Sequence, residues 1–497
     1  MTDWIIVPVV LPALVAALLL LALRGRLAAQ RRVAWVSVLA QLLLAGALLR
    51  AAAAGPEAYF LGDWPAPFGI VLVLDRLAAV MLALTGVLSA LVLAHVTGTG
   101  WDARGRHFHA LFQFQIMGLN GAFLTGDAFN LFVFFEVLLI ASYGLVIHGG
   151  GAQRLRAGVQ YIAFNLVASG LFLVALALTY AVTGTLNLAD LAVKVAALPA
   201  GDAALIRVAA VLMMLVFAIK GALVPLHFWL PGTYALAPGP VAALLAVMTK
   251  VGAYAVIRVW TTAFAAPATG PMIGELLMPA ALLTLAVGAA GVLGARGLAR
   301  QAAFATLASM GTLFIAVALG TAWGTAAALY YMIHSTLAGA ALFLIADLVA
   351  ARRGTDAWGG AARPAMAQAG LLGGFYMAAA AAAAGLPPLS GFVGKLMVMD
   401  AARGGWMPAV WTVILAGSLA MVMGFARAGS ALFWKPGGAA APHPPQPQAQ
   451  AAVAVLLAAL AGLTVAAGPV MDYLEAAAAG LHDPAAYVAA VLARAGE

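Results

Sequence analysis

The chain has 497 residues, of which 65% are hydrophobic and 8% are charged. Soluble domains carry about 25% charged residues, so this composition excludes a soluble protein and indicates a polytopic membrane protein. The net charge of +8 comes without any Lys/Arg cluster with interleaved aromatic residues, so it does not indicate a nucleic-acid partner. The absence of cysteine excludes disulfides, thiolate metal sites and cysteine-ligated clusters.

Long apolar runs divide the chain into candidate membrane spans. A transmembrane helix needs about 20 apolar residues, and the runs have that length rather than the alternating pattern of a barrel strand. The sequence therefore predicts an all-α fold of about fourteen spans. In chain order they are 4–23, 33–50, 70–95, 108–126, 129–148, 158–183, 204–230, 238–263, 272–294, 300–320, 325–350, 369–401, 407–433 and 451–471.

The placement of Lys and Arg predicts the orientation. Loops after odd-numbered spans hold most of these residues, among them Arg31, Arg104, Arg154, Arg296 and Arg352. Cytoplasmic loops carry the excess of positive charge, so we expect a multi-pass protein of the cell (inner) membrane with both termini periplasmic.

The spans fall into groups. We expect an N-terminal three-helix segment at 1–107, a first five-helix repeat at 108–263 and a second at 272–433. Because five is an odd number, a second copy in tandem must be inverted. The proline-rich stretch at 434–450 predicts a cytoplasmic linker, and 451–497 holds the last span and a periplasmic tail.

The two repeats share the pattern L-x-P-L in their fourth spans, which are longer than a bilayer requires. Proline removes a helical donor, so we predict broken helices at Pro225 and at Pro387 and Pro388. Lys220 precedes the first break by five residues, and Lys395 follows the second by seven. Broken helices at matching positions of two halves predict an ion site near the membrane midplane.

Four ionisable residues lie deep inside apolar stretches: Glu136, Lys220, Lys250 and Lys395. A bare charge at the bilayer centre costs at least about 2.5–3.5 kcal/mol, so these groups are expected to face a protein interior or water. Of eight histidines only His334 lies near a span centre, which leaves a bis-histidine haem without its second ligand. No nucleotide-binding motif is present, and we expect neither cofactor nor metal.

Other polar residues look less central. His227, after the first break, is a candidate point for protons to enter, and Asp400 a candidate point for them to leave. Asp127 precedes a span and is expected to be a helix N-cap. Asp75 and Arg76 are expected to pair with each other at the periplasmic edge.

Four segments also carry a family resemblance. FNLFVFFEVLLIASYGL, KGALVPLHFWLPGTYALAPGPVAALLAVMTKVGAYAVIRV, LYYMIHSTLAG and LPPLSGFVGKL resemble the D-type subunit of the Mrp-type multisubunit monovalent cation/proton antiporter. The D-type subunit is in turn similar to the antiporter-like proton-pumping subunits of respiratory complex I. The resemblance covers roughly residues 70–430.

The resemblance implies a fourteen-helix fold with two inverted five-helix bundles. It implies that Glu136 pairs with Lys220 and that Lys250, His334 and Lys395 continue a polar line across the membrane plane. It further implies a secondary transporter rather than an enzyme, which exchanges Na⁺ or K⁺ for protons in pH homeostasis. Its partners would be a large A-type subunit and small membrane subunits, within the lipid bilayer. A lysine at 395, where one similar complex I protein carries glutamate, favours the Mrp assignment.

Three interpretations of the buried charges remain open on the sequence. Ammonium groups repel alkali cations, so a line rich in lysine favours a proton path, with the Na⁺ or K⁺ crossing elsewhere in the complex. The alternative is a proton-pumping membrane subunit of a redox-driven complex, of the complex I or membrane-bound hydrogenase type. A purely structural scaffold, with Glu136 and Lys220 as a static ion pair, is the third, although buried pairs contribute little net stability.

Overall fold

The structure is a computed structural model that describes residues 2–199, 203–267, 269–358, 366–434 and 443–493. It is predominantly helical, with one small two-stranded sheet among the described residues. The α-helices are α1 (Val7–Leu21), α2 (Leu27–Ala51), α3 (Arg76–Thr99), α4 (Phe108–Leu124), α5 (Ala128–Val146), α6 (Ala152–Thr183), α7 (Leu188–Ala196), α8 (Ala204–Lys220), α9 (Trp229–Leu236), α10 (Gly239–Thr262), α11 (Met272–Gly294), α12 (Leu298–Ala318), α13 (Ala322–Arg353), α14 (Ala369–Ala384), α15 (Ser390–Ala401), α16 (Met407–Gly429), α17 (Pro447–Val465), α18 (Ala467–His482) and α19 (Ala485–Leu492). The strands are β1 (Glu57–Phe60) and β2 (Val71–Leu74).

Eleven helices of the described chain are long and apolar enough to cross a membrane. The other three predicted spans contain α4, which has 17 residues, and the two interrupted pairs α8/α9 and α14/α15. The multi-pass helical architecture is therefore confirmed, whereas fourteen crossings remain a prediction. Of the predicted linker at 434–450, residues 435–442 lie outside the described residues, and its last four residues already belong to α17, which begins at Pro447 because proline is favoured in the first turn of a helix.

Burial separates central from peripheral helices. The apolar window of α10 is entirely buried, and those of α12 and α13 are 94% and 89% buried. In α1, α2, α16 and α17 only 33% of the window is buried. Long helices that bury every face form the core of a membrane protein, and those with one apolar face left open contact lipid or partner subunits. The core that positions any internal site is thus α10, α12 and α13.

Local signals set the ends of several helices. The Asp127 carboxylate accepts a hydrogen bond from the Asn130 amide at 2.8 Å, so Asp127 is the N-cap of α5 as predicted. Gly100 and Gly184 end α3 and α6 in the left-handed conformation, which glycine adopts without a Cβ clash. Polar caps satisfy backbone groups that would otherwise meet hydrocarbon unpaired.

The fourth spans of both repeats are interrupted, as predicted. The chain leaves helix between α8 and α9, in a stretch that contains Pro225, and again between α14 and α15, where Pro387 and Pro388 lie. The Val224 amide, freed by the first interruption, donates to Thr284 Oγ1 on α11 at 2.8 Å. Side chains of neighbouring helices thus satisfy backbone groups at membrane depth.

A short hairpin departs from the all-helical expectation. Strands β1 and β2 pair in antiparallel fashion, with Glu57 opposite Leu74 and Phe60 opposite Val71. The predicted span 70–95 therefore begins as a strand, and its helix starts only at Arg76. The run of Val and Leu in β2 is fully buried, and a short apolar run of this kind has no periodicity that separates strand from helix.

A buried ion pair joins the hairpin region to the central helix. Arg258 on α10 donates two hydrogen bonds of 2.6 Å to the Asp75 carboxylate, which also caps α3 through the Ala78 amide. The expected pair of Asp75 with Arg76 is therefore wrong. Arg76 instead donates to the Ala53 carbonyl oxygen. Two parallel bonds from a guanidinium fix a carboxylate better than a flexible sequence neighbour does.

Arg258→Leu is expected to lower the free energy of unfolding by about 3–5 kcal/mol, because it leaves the Asp75 carboxylate buried without its cation. Thermal unfolding of the purified protein measures the effect. Arg403→Leu is the matched control, since it breaks an ion pair with Asp400 whose side chains are 70% and 40% exposed. That change is expected to cost less than about 1 kcal/mol. Equal losses in both variants would contradict the role given to the Asp75 pair.

Candidate functional site

The five residues singled out in the sequence lie on five different helices. Glu136 is on α5, Lys220 ends α8, Lys250 is in the middle of α10, His334 is on α13 and Lys395 is on α15. The four basic side chains are buried, with exposed fractions of 8%, 0%, 1% and 5% in that order, and Glu136 is half-buried. We refer to these five residues as the buried line.

Helix α6 separates Glu136 from Lys220. Lys220 Nζ donates to Asn165 Oδ1 at 3.0 Å, and the Ser169 hydroxyl donates to the Glu136 carboxylate. Asn165 and Ser169 are four residues apart and so lie on one face of α6. The two charges interact at a distance, but no direct ion pair joins them. The direct pairing that the resemblance implies is not present in this conformation.

Lys250 has neutral contacts. Its Nζ donates to Ser309 Oγ on α12 at 3.0 Å and lies 3.2 Å from Met310 Sδ. Among the described residues it forms no ion pair. A completely buried ammonium without a carboxylate is unusual, because burial of a charge is costly unless the charge is paired.

A backbone contact holds α8 and α10 together beside their lysines. A Cβ placed on Gly252 would lie 2.5 Å from the Gly221 amide nitrogen and 2.7 Å from the Phe217 carbonyl oxygen. Real Cβ atoms do not approach other atoms so closely, so only glycine fits at 252. Gly221 directly follows Lys220, and Gly252 lies two residues beyond Lys250, so this crossing brings the two lysine-bearing segments together.

A small cavity lies between His334 and the serine that binds Lys250. It has a volume of about 10 Å³, roughly the minimum for one water molecule, and both His334 and the Ser309 that binds Lys250 line it. Thr306 and Ser335 contribute further polar atoms to its wall. A single water here has the hydrogen-bonding partners that it requires.

The end of the line lies at the second break. His334 Nδ1 is 2.9 Å from Ser390 Oγ, at the start of α15. Lys395 Nζ donates to the Ala384 carbonyl oxygen at 2.7 Å and to Ser418 Oγ at 2.9 Å. Ala384 is the last residue of α14, so this lysine caps a carbonyl that the broken helix leaves free.

Electrostatic coupling is present in both halves of the line. The charge of Glu136 acts on Lys220, and the charges of Lys250 and Lys395 both act on the His334 ring. Each of the five groups is thus coupled to at least one other, and the backbone crossing at Gly221 and Gly252 joins the two halves of the line. Such an arrangement can pass a proton in steps, provided that each neighbour reaches the next directly or through water.

The two candidate points for entering and leaving protons lie apart from this line. His227 lies between α8 and α9, and its ring packs on Phe228 at 4.6 Å between centroids. Asp400 pairs with Arg403 at 2.8 Å and accepts from the Trp323 indole at 3.1 Å. In the described chain neither side chain bonds to a residue of the buried line, so both roles remain predictions.

The sequence alone does not reveal the neutral partners, namely Asn165, Ser169, Ser309, Ser390 and Ser418. Serine is frequent where membrane helices pack, and a neutral side chain does not by itself indicate which charged residue it contacts. Helical spacing gives one hint, because Asn165 and Ser169 form a polar stripe on α6. No group of three or more His, Asp or Glu side chains in the described ranges is placed to hold a metal ion.

A second polar cluster lies at the expected cytoplasmic end, outside the buried line. The Asp102 carboxylate accepts from Arg31 at 2.7 Å and contacts His109 Nε2 at 3.0 Å. Burial alone would raise the pKa of Asp102, but the bonds and charges of Arg31 and His109 lower it to about 2. This three-residue contact ties α2, α4 and the loop after α3 together.

Replacement of Asp102 by Asn tests that contact through pH. The depressed pKa means that its stabilisation is complete above the ordinary value of 3.8 and is lost as the pH falls through about 2. At pH 7 we expect the variant to lose on the order of 2 kcal/mol, seen as a lower thermal unfolding midpoint. The two proteins should converge only below about pH 2, where the carboxyl group is protonated in the folded and in the unfolded state. Asp472→Asn, at an exposed position, is the control, and a constant difference at all pH values would contradict this account.

Comparisons with known proteins show the family of the chain. Residues 125–424 match the family described as NADH:quinone oxidoreductase/Mrp antiporter, TM. The chain is 41% identical to a probable K⁺/H⁺ antiporter D-type subunit of Rhizobium meliloti, over 99% of this chain and 98% of that protein. It is 36% identical to the Na⁺/H⁺ antiporter D-type subunit of Bacillus subtilis, over 99% of this chain and 100% of that one.

A solved structure shows the same fold. A chain in the structure of the Mrp complex from Dietzia sp. DQ12-45-1b superimposes with a TM-score of 0.88 at 27% identity, over 99% of this chain and 100% of that chain. The region that matches the family contains every residue of the buried line. The chain therefore belongs to the NADH:quinone oxidoreductase/Mrp antiporter transmembrane family, and within it to the group of D-type antiporter subunits.

Proposed function

We propose that this chain is the proton-translocating subunit of a multisubunit Na⁺/H⁺ or K⁺/H⁺ antiporter. The observation that carries the proposal is Lys250, which is completely buried and bonded only to a hydroxyl and a thioether among the described residues. Relatives at 41% and 36% identity are named for K⁺/H⁺ and Na⁺/H⁺ exchange, and this supports the same reaction here.

The contacts of the lysines favour proton transfer. An ammonium in an apolar interior is disfavoured unless an opposite charge faces it. Lys220, Lys250 and Lys395 each have a neutral oxygen as acceptor instead, which stabilises the ammonium less than a carboxylate does. Each lysine is therefore poised to release a proton to the next group and to take up another.

Glu136 controls the protonation of Lys220 through the distance between the two charges. In the observed conformation the Ser169 hydroxyl holds its carboxylate while Asn165 holds Lys220. A shift of either side chain along α6 would bring the two charges together and keep Lys220 protonated. Return to the separated arrangement would favour proton release toward Lys250. This is an electrostatic switch in which Asn165 and Ser169 of α6 hold the two charges apart.

The alkali cation takes another route in this proposal. Na⁺ and K⁺ need several oxygen ligands, whereas three of the five groups in the buried line are ammoniums that repel a metal ion. We infer that the cation crosses elsewhere in a complex with a large A-type subunit and small membrane subunits. Outward-facing apolar side chains such as Leu166 and Leu419, 67% and 62% exposed, are available for lipid and for those partners.

The proposed topology follows the charge of the loops. The Arg-rich loops follow the odd-numbered spans and are cytoplasmic in this proposal, so both termini lie on the opposite side of the membrane, in the periplasm. The chain is divided into an N-terminal segment at 1–107, the repeats at 108–263 and 272–433, a linker at 434–450 and a terminal segment at 451–497. Accessibility labelling of single cysteines is straightforward in a chain without native cysteine.

Lys220→Ala and Lys250→Ala are expected to abolish cation-driven proton flux, because each removes a carrier that no neighbouring group replaces. The measurement is the change of a pH dye in vesicles that contain the chain with its partner subunits. Lys194→Ala is the matched control, since this lysine is exposed and pairs with Asp190 on α7. Flux at the wild-type rate in both buried variants would refute the proposed path.

The switch has its own test. Glu136→Gln is expected to stop exchange, and Asn165→Leu to slow it about tenfold, equivalent to about 1.4 kcal/mol in a barrier, because Lys220 loses its acceptor. Ser142→Ala, which removes a buried hydroxyl bonded to Tyr161 on the same pair of helices, is the control. Unchanged exchange in Glu136→Gln would leave the lysine path standing and reject the switch. Co-purification of redox subunits would favour the alternative of a redox-driven pump.

A further inference from the structure

An apolar cavity of about 460 Å³ lies among α2, α3, α13, α17 and α18. Its volume is in the range of pockets that hold small ligands, about 300–1,000 Å³. Every side chain that lines it is apolar except Tyr473, whose hydroxyl already donates to the Leu49 carbonyl oxygen at 3.0 Å. None of the five residues of the buried line, and none of Arg31, Asp102 and His109, lines this cavity.

Water does not suit this space. An internal water needs two to four polar partners, and the side chains of the wall have no free polar atom to supply them. Protein interiors are close-packed, and an unfilled apolar space of this size forfeits the contacts that its lining would otherwise make. A hydrocarbon chain would make van der Waals contacts with the apolar lining, and the lipids of the bilayer have such chains.

The cavity has the depth of an acyl chain. Leu49, near the end of α2, and Tyr473 mark its outer end, whereas Val87 on α3 and Ile333 and Leu337 on α13 mark its inner end. Val87 lies eleven residues into α3, which is about 16 Å along a helix axis. The space therefore runs from the membrane surface toward the middle of the bilayer.

Positive charge stands at the outer end. Arg76 begins the α3 stripe that continues with Val80, Ala83 and Val87 at helical spacing. Its guanidinium donates a hydrogen bond to the carbonyl oxygen of Ala53, four residues after the lining residue Leu49, and so lies near the outer end of the cavity with further N–H groups for a phosphate. Arg50, next to Leu49, is exposed.

The neighbouring acidic groups do not cancel this charge. Asp75 is occupied by Arg258. On α18 the lining residues Val470, Tyr473 and Leu474 share one face, and helical spacing puts Asp472 and Glu475 on the opposite face. The outer end of the cavity thus presents a net positive charge to the headgroup region.

We propose that this cavity is a binding site for an anionic phospholipid, with one acyl chain between α3, α13 and α18 and the phosphate at Arg76 and Arg50. The bound chain contacts Ile333, the residue that precedes His334. The site therefore couples the lipid to a helix of the buried line, but its occupancy does not depend on the proposed proton path.

Ala83→Phe tests the acyl-chain site by filling it. Quantification of phospholipid that remains with the purified protein after detergent washing is expected to show the loss of a tightly held anionic lipid. Ala163→Phe, which adds the same ring to an exposed position of α6, is the control and should retain it. Retention of the lipid in Ala83→Phe, or equal loss in both variants, would overturn the proposal.

The double variant Arg50→Gln and Arg76→Gln tests the headgroup without entering the cavity. Added phosphatidylglycerol is expected to raise the thermal unfolding midpoint of the delipidated wild-type protein. The double variant is expected to require an about tenfold higher concentration of this lipid for the same rise, which corresponds to the loss of a charge-assisted hydrogen bond. Phosphatidylcholine should act equally on both proteins. Equal responses of wild type and double variant to phosphatidylglycerol would reject the anionic headgroup contact.

Discussion

An ammonium group inside a bilayer needs oxygen atoms as hydrogen-bond acceptors, because an unsolvated charge in hydrocarbon is costly. The helices around the buried line supply these acceptors. Each lysine of the buried line is bonded to a neutral acceptor from another helix: Asn165 for Lys220, Ser309 for Lys250, and Ser418 with the Ala384 carbonyl for Lys395. A neutral oxygen stabilises a buried ammonium by a hydrogen bond, but it does so less strongly than a carboxylate. Carboxylates in the same positions would favour the protonated form of each lysine more strongly.

The two broken helices serve this requirement in related ways. Lys220 is the last residue of α8, directly before the first interruption, whereas Lys395 reaches back across the second to the last carbonyl of α14. Interruption of a helix releases backbone groups at membrane depth, and those groups must be satisfied locally. The breaks thus provide polar atoms in the region where lysine would otherwise meet only hydrocarbon.

The sequence is sufficient to find the charged members of the site and insufficient to find their partners. Lys250 in an apolar frame is visible without a structure, because charge is rare there. Ser309 and Asn165 are not visible, since their meaning depends on which helix faces which. The same limit applies to Asp75, for which the sequence suggests its neighbour Arg76, whereas the fold supplies Arg258, 183 positions away. The apolar run of β2 likewise matches a helix and a strand equally well.

The glycine contact at 252 constrains how the molecule can move. Backbone meets backbone at Gly221 and Gly252, so no side chain is available there to repack or to act as a spacer. Lateral parting of α8 from α10 would open a gap that neither helix can fill. The crossing therefore sets the separation of the two backbones beside Lys220 and Lys250, and a side chain larger than hydrogen at position 252 would push the two lysine-bearing helices apart.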